Sequence, residues 1–145
     1  MGQLLGKPVV PADHYALAAG THRAAALALV RGHSDAAGYL AGYVVECSLK
    51  AIVGAAGGSA QLYQHNLAKL SGAGLQLAHH VSHLQRYIMP PGPAVDDLVQ
   101  HWRSDLRYRE PGAVPPQVAR RWVGAAARVY HSLVQKAILD GVVLP

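Results

Sequence analysis

The most constraining feature of this sequence is a long apolar segment, residues 36–58, which carries two opposite charges, Glu46 and Lys50, near its middle. A helix that is apolar on nearly every side is buried at the centre of a bundle or spans a membrane. Each charge would cost about 2.5–3.5 kcal/mol at the centre of a bilayer. The segment therefore predicts a central bundle helix without membrane contact. Lys7 is not followed by a long apolar core, so we expect no signal peptide and a cytoplasmic protein.

The composition favours an all-α fold. The 145 residues suit a single domain, 1–145, with a core over about residues 13–138. Apolar residues make up 51% of the chain and charged residues 14%, which excludes an intrinsically disordered protein. Alanine is abundant, and because it favours helices and is depleted in strands, an all-β fold is excluded. The single cysteine, Cys47, excludes an internal disulfide and is expected to be an inert core residue.

Glycine and proline residues divide the chain into predicted helices. The first is expected to begin with Asp13 as N-cap and to end at Gly32, and the second to begin at Ser34 or Asp35 and to end at Gly57–Gly58. The remaining predicted helices are residues 66–70, a helix carrying Leu77, Val81, Leu84 and Ile88, a helix from Val95 to Leu106, and a last helix from Pro115–Pro116 to near Gly141. The sequence thus predicts an antiparallel up-and-down helical bundle of four to five main helices.

The two charges on the apolar helix need polar partners. Glu46 and Lys50 are four residues apart, the favourable order for a helical ion pair. Buried ions cost several kcal/mol each unless they are paired, so further partners are expected from other parts of the chain. The sequence offers two candidates, His65-Asn66 after the glycine loop and Arg107-Tyr108 after the fifth predicted helix. Tyr39 and Tyr43 share roughly the face of Glu46 and are expected to pack there.

Three short runs resemble the HEPN family of helical nucleotide-binding domains. The first is residues 41–51, similar to the pattern Gly-Tyr-x-x-Glu-x-x-Leu-Lys that these domains often carry. The others are His65-Asn66-Leu67-x-x-Leu70, similar to a His-x-Leu-x-x-Leu element, and Trp102-x-x-Asp105-x-Arg107-Tyr108, similar to Trp-x-x-x-x-Arg-Tyr in many stand-alone bacterial members. The order and spacing of these runs match the family from about residue 13 to residue 138.

The resemblance implies a bundle of four or five helices, a homodimer, and a role near RNA or nucleotides. Many such domains are metal-independent ribonucleases, and some are toxins of toxin–antitoxin or defence-like systems that pair with a nucleotidyltransferase antitoxin. Their catalytic signature, an arginine followed by a histidine after four to six residues, is missing here. The nearest approach is Arg128 with His131, which have only two residues between them. The resemblance therefore leaves open whether the chain is an endoribonuclease or a non-catalytic module for dimerisation or protein interaction.

The candidate site consists of residues that the resemblance and the charge argument share. Functionally, Arg107 would stabilise charge on a phosphorane, His65 would act as base, and Glu46 would orient the cations or act as a base. The ligand-binding candidates are Lys50, Tyr108 and Tyr43. The alternative is a structural polar network that only satisfies buried charges. No cofactor is expected.

Two other groups of residues have a functional and a plain interpretation. His79, His80 and His83 form a cluster in which His79 and His83, four residues apart on a helix, could share a metal, as in a metal-dependent hydrolase. No third ligand, cysteine or carboxylate, lies close in sequence, so a solvated helix face and no metal are expected. The net charge of +5 makes an anionic partner plausible. Late arginines would form a strip for RNA backbone in a dimer, or an ordinary surface: Arg103, Arg107, Arg109, Arg120, Arg121 and Arg128.

Overall fold

A computed structural model describes residues 10–145 of the chain as an all-α bundle. The α-helices are α1 (Ala12–Leu29), α2 (Ser34–Ala55), α3 (Leu67–Lys69), α4 (Leu75–Ala78), α5 (Pro93–His101), α6 (Pro116–Tyr130) and α7 (Lys136–Leu139). A π-helical turn, Leu70–Gly74, joins α3 to α4, and a second, His131–Gln135, joins α6 to α7. Short 3-10 turns lie at Ala60–Tyr63, Ser82–Leu84 and Ser104–Tyr108. The predicted all-α class is confirmed.

Helix α2 is the centre of the bundle, as its apolar sequence predicts. It packs along α1 on one side and α6 on another, and all but a few of its residues from Ala37 to Val53 are buried. Helix α1 buries only Ala16, Ala19 and Ala26, whose small side chains let its backbone approach α2 closely. Helix α2 is long and apolar enough to cross a membrane, and 78% of its most apolar stretch is buried by the rest of the protein.

A glycine on α2 makes room for the tryptophan that follows α5. A Cβ on Gly42 would lie 1.9 Å from Cε2 of Trp102, so only glycine allows the indole to rest on the helix backbone. The indole Nε1–H donates a 3.0 Å hydrogen bond to the carbonyl oxygen of Tyr39. Because Trp102 is 4% exposed, this contact fixes the segment after α5 against the centre of α2.

Two predicted N-caps are wrong. Neither Asp13, nor Ser34, nor Asp35 caps its helix through a side-chain hydrogen bond. Asp13 instead accepts the N–H of Leu144 at 2.8 Å and so joins the two ends of the described chain. Asp35 accepts the N–H groups of Gly112 and Val114, each at 2.8 Å, so a carboxylate at the start of α2 holds the loop before α6. Both carboxylates therefore serve long-range contacts in place of local caps.

The predicted fourth helix, with its single apolar stripe, is also wrong. Helix α4 ends at Ala78, and Leu77 and Ile88 are more than half exposed. Leu84 is fully buried as the stripe predicts, but the core takes Tyr87 in place of its neighbour Ile88. The intervening residues include three histidines and a valine, which have low helix propensity, and a proline pair follows soon after. Because the local helix preference is weak here, the burial of Leu84 and Tyr87 decides where the helix breaks, and the periodic apolar spacing does not.

The later boundaries differ by smaller amounts. Helix α5 begins at Pro93 and ends at His101, whereas the predicted helix continued to Leu106, because Trp102 adopts an extended conformation. Helix α6 begins at Pro116 as predicted, with proline in the first turn where an N–H is not needed. The last helical segment ends at Leu139, close to the predicted stop at Gly141.

Candidate functional site

The centre of the candidate site is a buried ion pair on α2. Glu46 is 4% exposed and Lys50 is 6% exposed, and the Lys50 Nζ lies 3.5 Å from Glu46 Oε2. The ammonium also lies 5.6 Å from the centroid of the Tyr15 ring on α1. Because charged residues are almost never buried unless they are paired, this pair is the strongest polar constraint in the bundle interior.

The second member of the site reaches Glu46 from a tight turn. The N–H of Asn66 bonds to the carbonyl of Tyr63 at 3.0 Å, which closes a four-residue turn with His65 at its third position. Gln64, at the second position, has φ 49° and ψ −120°, the geometry of a type II′ turn that glycine normally occupies. His65 Nδ1 lies 2.7 Å from Glu46 Oε1. A strained backbone thus presents a histidine to a buried carboxylate.

The hydrogen bond to Glu46 determines which face of the imidazole is available. An ionised carboxylate only accepts hydrogen bonds, so Nδ1 of His65 carries the proton that is shared with Glu46. In the neutral ring the lone pair is then on Nε2, which has no protein partner among residues 10–145. The His65 side chain is 51% exposed. The arrangement fixes the ring through Nδ1 and leaves Nε2, on a half-exposed side chain, without a described protein partner, as a general base requires.

His65 lines a cleft of about 750 Å³ between its own turn and the segment that follows α5. Lys69 and Arg103 line the same cleft, and neither forms an ion pair with another described residue. Asp105, also at the cleft, pairs with Arg109 at 3.6 Å. The remaining polar lining comes from Gln64, Asn66, Gln100 and Ser104. The cleft is therefore polar, carries uncompensated positive charge, and is suited to an anion.

Arg107 and Tyr108 lie at a separate corner of the molecule and not in this cleft. Both are exposed, and the Arg107 guanidinium lies 4.7 Å above the centroid of the Tyr108 ring. The phenols of Tyr108 and Tyr39 beside Arg107 raise the pKa of the guanidinium. Among the described ion pairs, Glu46 contacts Lys50 and His65 but not Arg107. Of the six predicted site residues, the structure thus brings Glu46, Lys50 and His65 together with Tyr43 beside them, and it places Arg107 and Tyr108 outside.

An aromatic cluster lies between the histidine turn and this corner. Tyr39 donates a 3.1 Å hydrogen bond to the hydroxyl of Tyr43, and the Tyr43 ring packs edge-on against Trp102 and His65 at centroid distances of 5.0 and 5.8 Å. Burial, together with the Tyr39 hydroxyl, raises the pKa of Tyr43. Tyr43 is therefore a neutral packing residue that supports the His65 ring, and it does not line the cleft.

Sequence reasoning missed Lys69 as a cleft residue and named Arg103 only as one member of a basic strip. The signal for Lys69 was its position about one helical turn after His65 and three residues after Asn66, which caps α3 by accepting the Lys69 N–H at 3.0 Å. Arg103 had no such signal, because it lines the cleft only through the extended conformation of Trp102, which ends α5 early.

The histidine cluster does not form the predicted helical pair. His79 follows the last residue of α4, and its Nε2–H donates a 2.9 Å hydrogen bond to the Tyr87 carbonyl. His83 lies beyond the helix break, in the Ser82–Leu84 turn. Over residues 10–145, no three His, Cys, Asp or Glu side chains are grouped as a metal site.

Cys47 is buried, and burial raises the pKa of its thiol to about 12, which suppresses the reactive thiolate.

Comparison with known proteins returns no relative: no protein-family model, no curated protein and no solved structure matches this chain.

Proposed function

We propose that this chain is a HEPN-like helical module that binds RNA or a nucleotide in the cleft beside His65, and that it cleaves RNA without a metal ion. The proposal is carried by one observation: His65 bonds through Nδ1 to the buried Glu46, while its exposed side faces a cleft that Lys69 and Arg103 also line. The three sequence runs that resemble HEPN domains add support, because they include Glu46, Lys50 and His65.

The geometry gives each residue a role in phosphodiester cleavage. Nε2 of His65 takes the proton from a ribose 2′-hydroxyl, O2′ attacks the adjacent phosphorus, and the bond to O5′ breaks to leave a 2′,3′-cyclic phosphate. The departing O5′ takes a proton from solvent water. Lys69 and Arg103 stabilise the negative charge on the phosphorane, a role that the sequence assigned to Arg107. Glu46 holds the imidazole in the required tautomer and orientation.

The cleft favours contacts to phosphate and ribose over contacts to bases. Two aromatic rings line the cleft: Trp102 is 4% exposed with its indole N–H already bonded to the Tyr39 carbonyl, and Tyr63 is partly buried. Since the rest of the lining is mostly amides, hydroxyls and cations, most of the affinity has to come from contacts to phosphate and ribose. We therefore expect binding that depends strongly on salt and weakly on RNA sequence.

Two partners follow from the HEPN-like proposal. A second copy of the chain would form a homodimer, and a nucleotidyltransferase-type protein would act as antitoxin in a toxin–antitoxin or defence-like system. The exposed corner with Arg107 and Tyr108 is available to either one, since an exposed aromatic residue with a stacked arginine is typical of interface hot spots.

The test is cleavage and binding of fluorescent single-stranded RNA in buffer with excess EDTA. His65→Gln should lower the cleavage rate at least about 100-fold and change the dissociation constant little, because it removes a base and keeps the shape. Arg103→Gln should weaken binding and reduce the slope of log affinity against log salt by about one. His80→Gln and Arg120→Gln, exposed residues outside the cleft, are the matched controls.

A second candidate function is a non-catalytic interaction module. Two observations favour it. The chain lacks the arginine-to-histidine spacing, and the Glu46–Lys50 pair is buried, as expected of a network whose role is structural. RNA binding without cleavage by the purified chain would support this candidate and exclude the ribonuclease. Absence of both binding and cleavage would exclude any role for the cleft in RNA recognition.

A further inference from the structure

A second groove, which shares no residue with the His65 cleft, lies beside the segment that leads into α5. It has a volume of about 510 Å³ and runs between the segment 88–91 and the π-helical turn His131–Gln135 with α7. Its apolar lining includes Ile88, which is 57% exposed, and Leu139, which is 81% exposed. Single-turn π-helical segments are frequent at functional sites. We call this feature the proline groove, after Pro90 and Pro91 in its wall.

The wall of the proline groove is rigid. Pro90 and Pro91 have fixed φ angles, and each proline forces the residue before it into an extended conformation. Arg128 on α6 donates a 2.7 Å hydrogen bond to the Pro91 carbonyl. At the other end of the segment, Tyr87 is fully buried and its carbonyl accepts the hydrogen bond from His79. The groove is therefore preformed, which lowers the entropy lost when a ligand binds.

The backbone of this wall has free hydrogen-bonding groups. Ile88 and Met89 lie outside regular secondary structure, and their N–H groups have no partner within residues 10–145. An extended segment with open amide groups beside an apolar groove is the arrangement that accepts an added strand. A peptide backbone can satisfy these groups, whereas an aliphatic chain cannot.

The rim of the groove is positively charged. Arg86 and Lys136 lie on opposite walls, with His131 nearby. The adjacent carboxylate, Asp140, is already engaged by the Tyr87 hydroxyl at 2.5 Å and by Arg86 at 3.3 Å. Lys136 forms no ion pair with any described residue. The uncompensated charge calls for a ligand that carries carboxylates.

These four properties identify one occupant. We propose that the proline groove binds an extended peptide segment of a partner protein, in which apolar side chains alternate with glutamate or aspartate. The apolar side chains contact Ile88 and Leu139, the backbone pairs with the edge of the extended segment at Ile88, and the carboxylates meet Lys136. The proposal is independent of RNA binding and cleavage at the His65 cleft.

The experiment measures fluorescence anisotropy of a labelled peptide of alternating leucine and glutamate with the full chain. Two control peptides have the same length: one replaces glutamate by lysine, and the other carries N-methyl groups on alternate amides. We expect the glutamate peptide to bind at least tenfold more tightly than either control. Lys136→Glu and Leu139→Ser should each weaken binding at least fivefold, while Arg31→Glu and Leu77→Ser, exposed residues outside the groove, should not change it.

Several outcomes would overturn the proposal. Equal affinity for the glutamate and lysine peptides would remove the role of charge, and equal affinity for the N-methyl peptide would remove strand addition. Displacement of the peptide by decanoate at similar concentration would assign the groove to a free amphiphile. If sedimentation velocity shows that Leu139→Ser dissociates a homodimer, the occupant is a second copy and not a partner peptide.

Discussion

The histidine turn and the Arg107–Tyr108 corner differ in their relation to the bundle interior: the first contacts a buried residue, and the second lies on the surface. His65 enters and bonds at 2.7 Å to a carboxylate that is 4% exposed. Arg107 and Tyr108 stack on each other at the surface, and Tyr108 is 75% exposed. A substitution of Glu46 or His65 removes a partner from a buried charge, whereas a substitution of Arg107 or Tyr108 is expected to cost the fold little. Stability and ligand binding are therefore coupled in the histidine turn and separable at the corner.

The largest expected effect tests the buried side of this comparison. Glu46→Ala should lower the free energy of unfolding by about 3–5 kcal/mol, because it leaves Lys50 buried without a counter-charge. Asp105→Ala, which breaks the half-exposed pair with Arg109, should change it by less than about 1 kcal/mol. Urea denaturation followed by circular dichroism measures both. A loss for Glu46→Ala no larger than that for Asp105→Ala would contradict the coupling.

The next effect concerns Trp102, which packs against Tyr39 and Tyr43 between the two regions. Gly42→Ala should lower the free energy of unfolding by about 1–3 kcal/mol, because the new Cβ would overlap the Trp102 indole. Gly124→Ala on α6 is the matched control, since a Cβ there meets nothing within 4 Å. That substitution should raise the free energy of unfolding by about 0.5–1 kcal/mol through helix propensity. Changes of the same sign in the two variants would exclude this packing argument.

A smaller effect concerns Asp35, which holds the loop at residues 112–114 that follows the Arg107–Tyr108 corner. The backbone N–H groups of Gly112 and Val114 lower the pKa of Asp35 below its ordinary value of 3.8. A depressed pKa stabilises the fold above pH 4, and this stabilisation is lost as the pH falls through the folded-state pKa. Asp35→Asn should lower the free energy of unfolding by about 1 kcal/mol at pH 7, and the difference from wild type should shrink as the pH falls below 3.8. A difference that is constant with pH would refute the assignment.

The smallest effect concerns backbone strain beside His65. Gln64→Gly should raise the free energy of unfolding by less than about 1 kcal/mol, because relief of the positive φ is partly offset by the greater entropy of glycine in the unfolded chain. Thermal unfolding of this variant beside Gln61→Gly, a residue in the preceding 3-10 turn, separates the two terms. Destabilisation of both variants alike would show that the turn at residue 64 is not strained.

The contrast between the two regions also explains what the sequence could predict. The all-α class follows from the alanine content and the central position of α2 from its apolar sequence, and the contact between Glu46 and His65 follows from the requirement that buried charges find partners. Arg107 is exposed and needs no buried partner, so the sequence motif around it could not predict its position relative to Glu46. The break after α4 and the early end of α5 depend on Tyr87 and Trp102 filling the core. That choice is made by tertiary packing, which apolar spacing along the chain does not record.

The packing of Trp102 against Gly42 provides an intrinsic fluorescence probe at the His65 cleft. The chain has two tryptophans and no phenylalanine, and each indole N–H has a separate acceptor, the Tyr39 carbonyl for Trp102 and the Asp97 carboxylate for Trp122. With Trp122→Phe, the emission would come from one indole in the wall of the His65 cleft. Titrations could then follow the occupancy of that cleft in unlabelled protein.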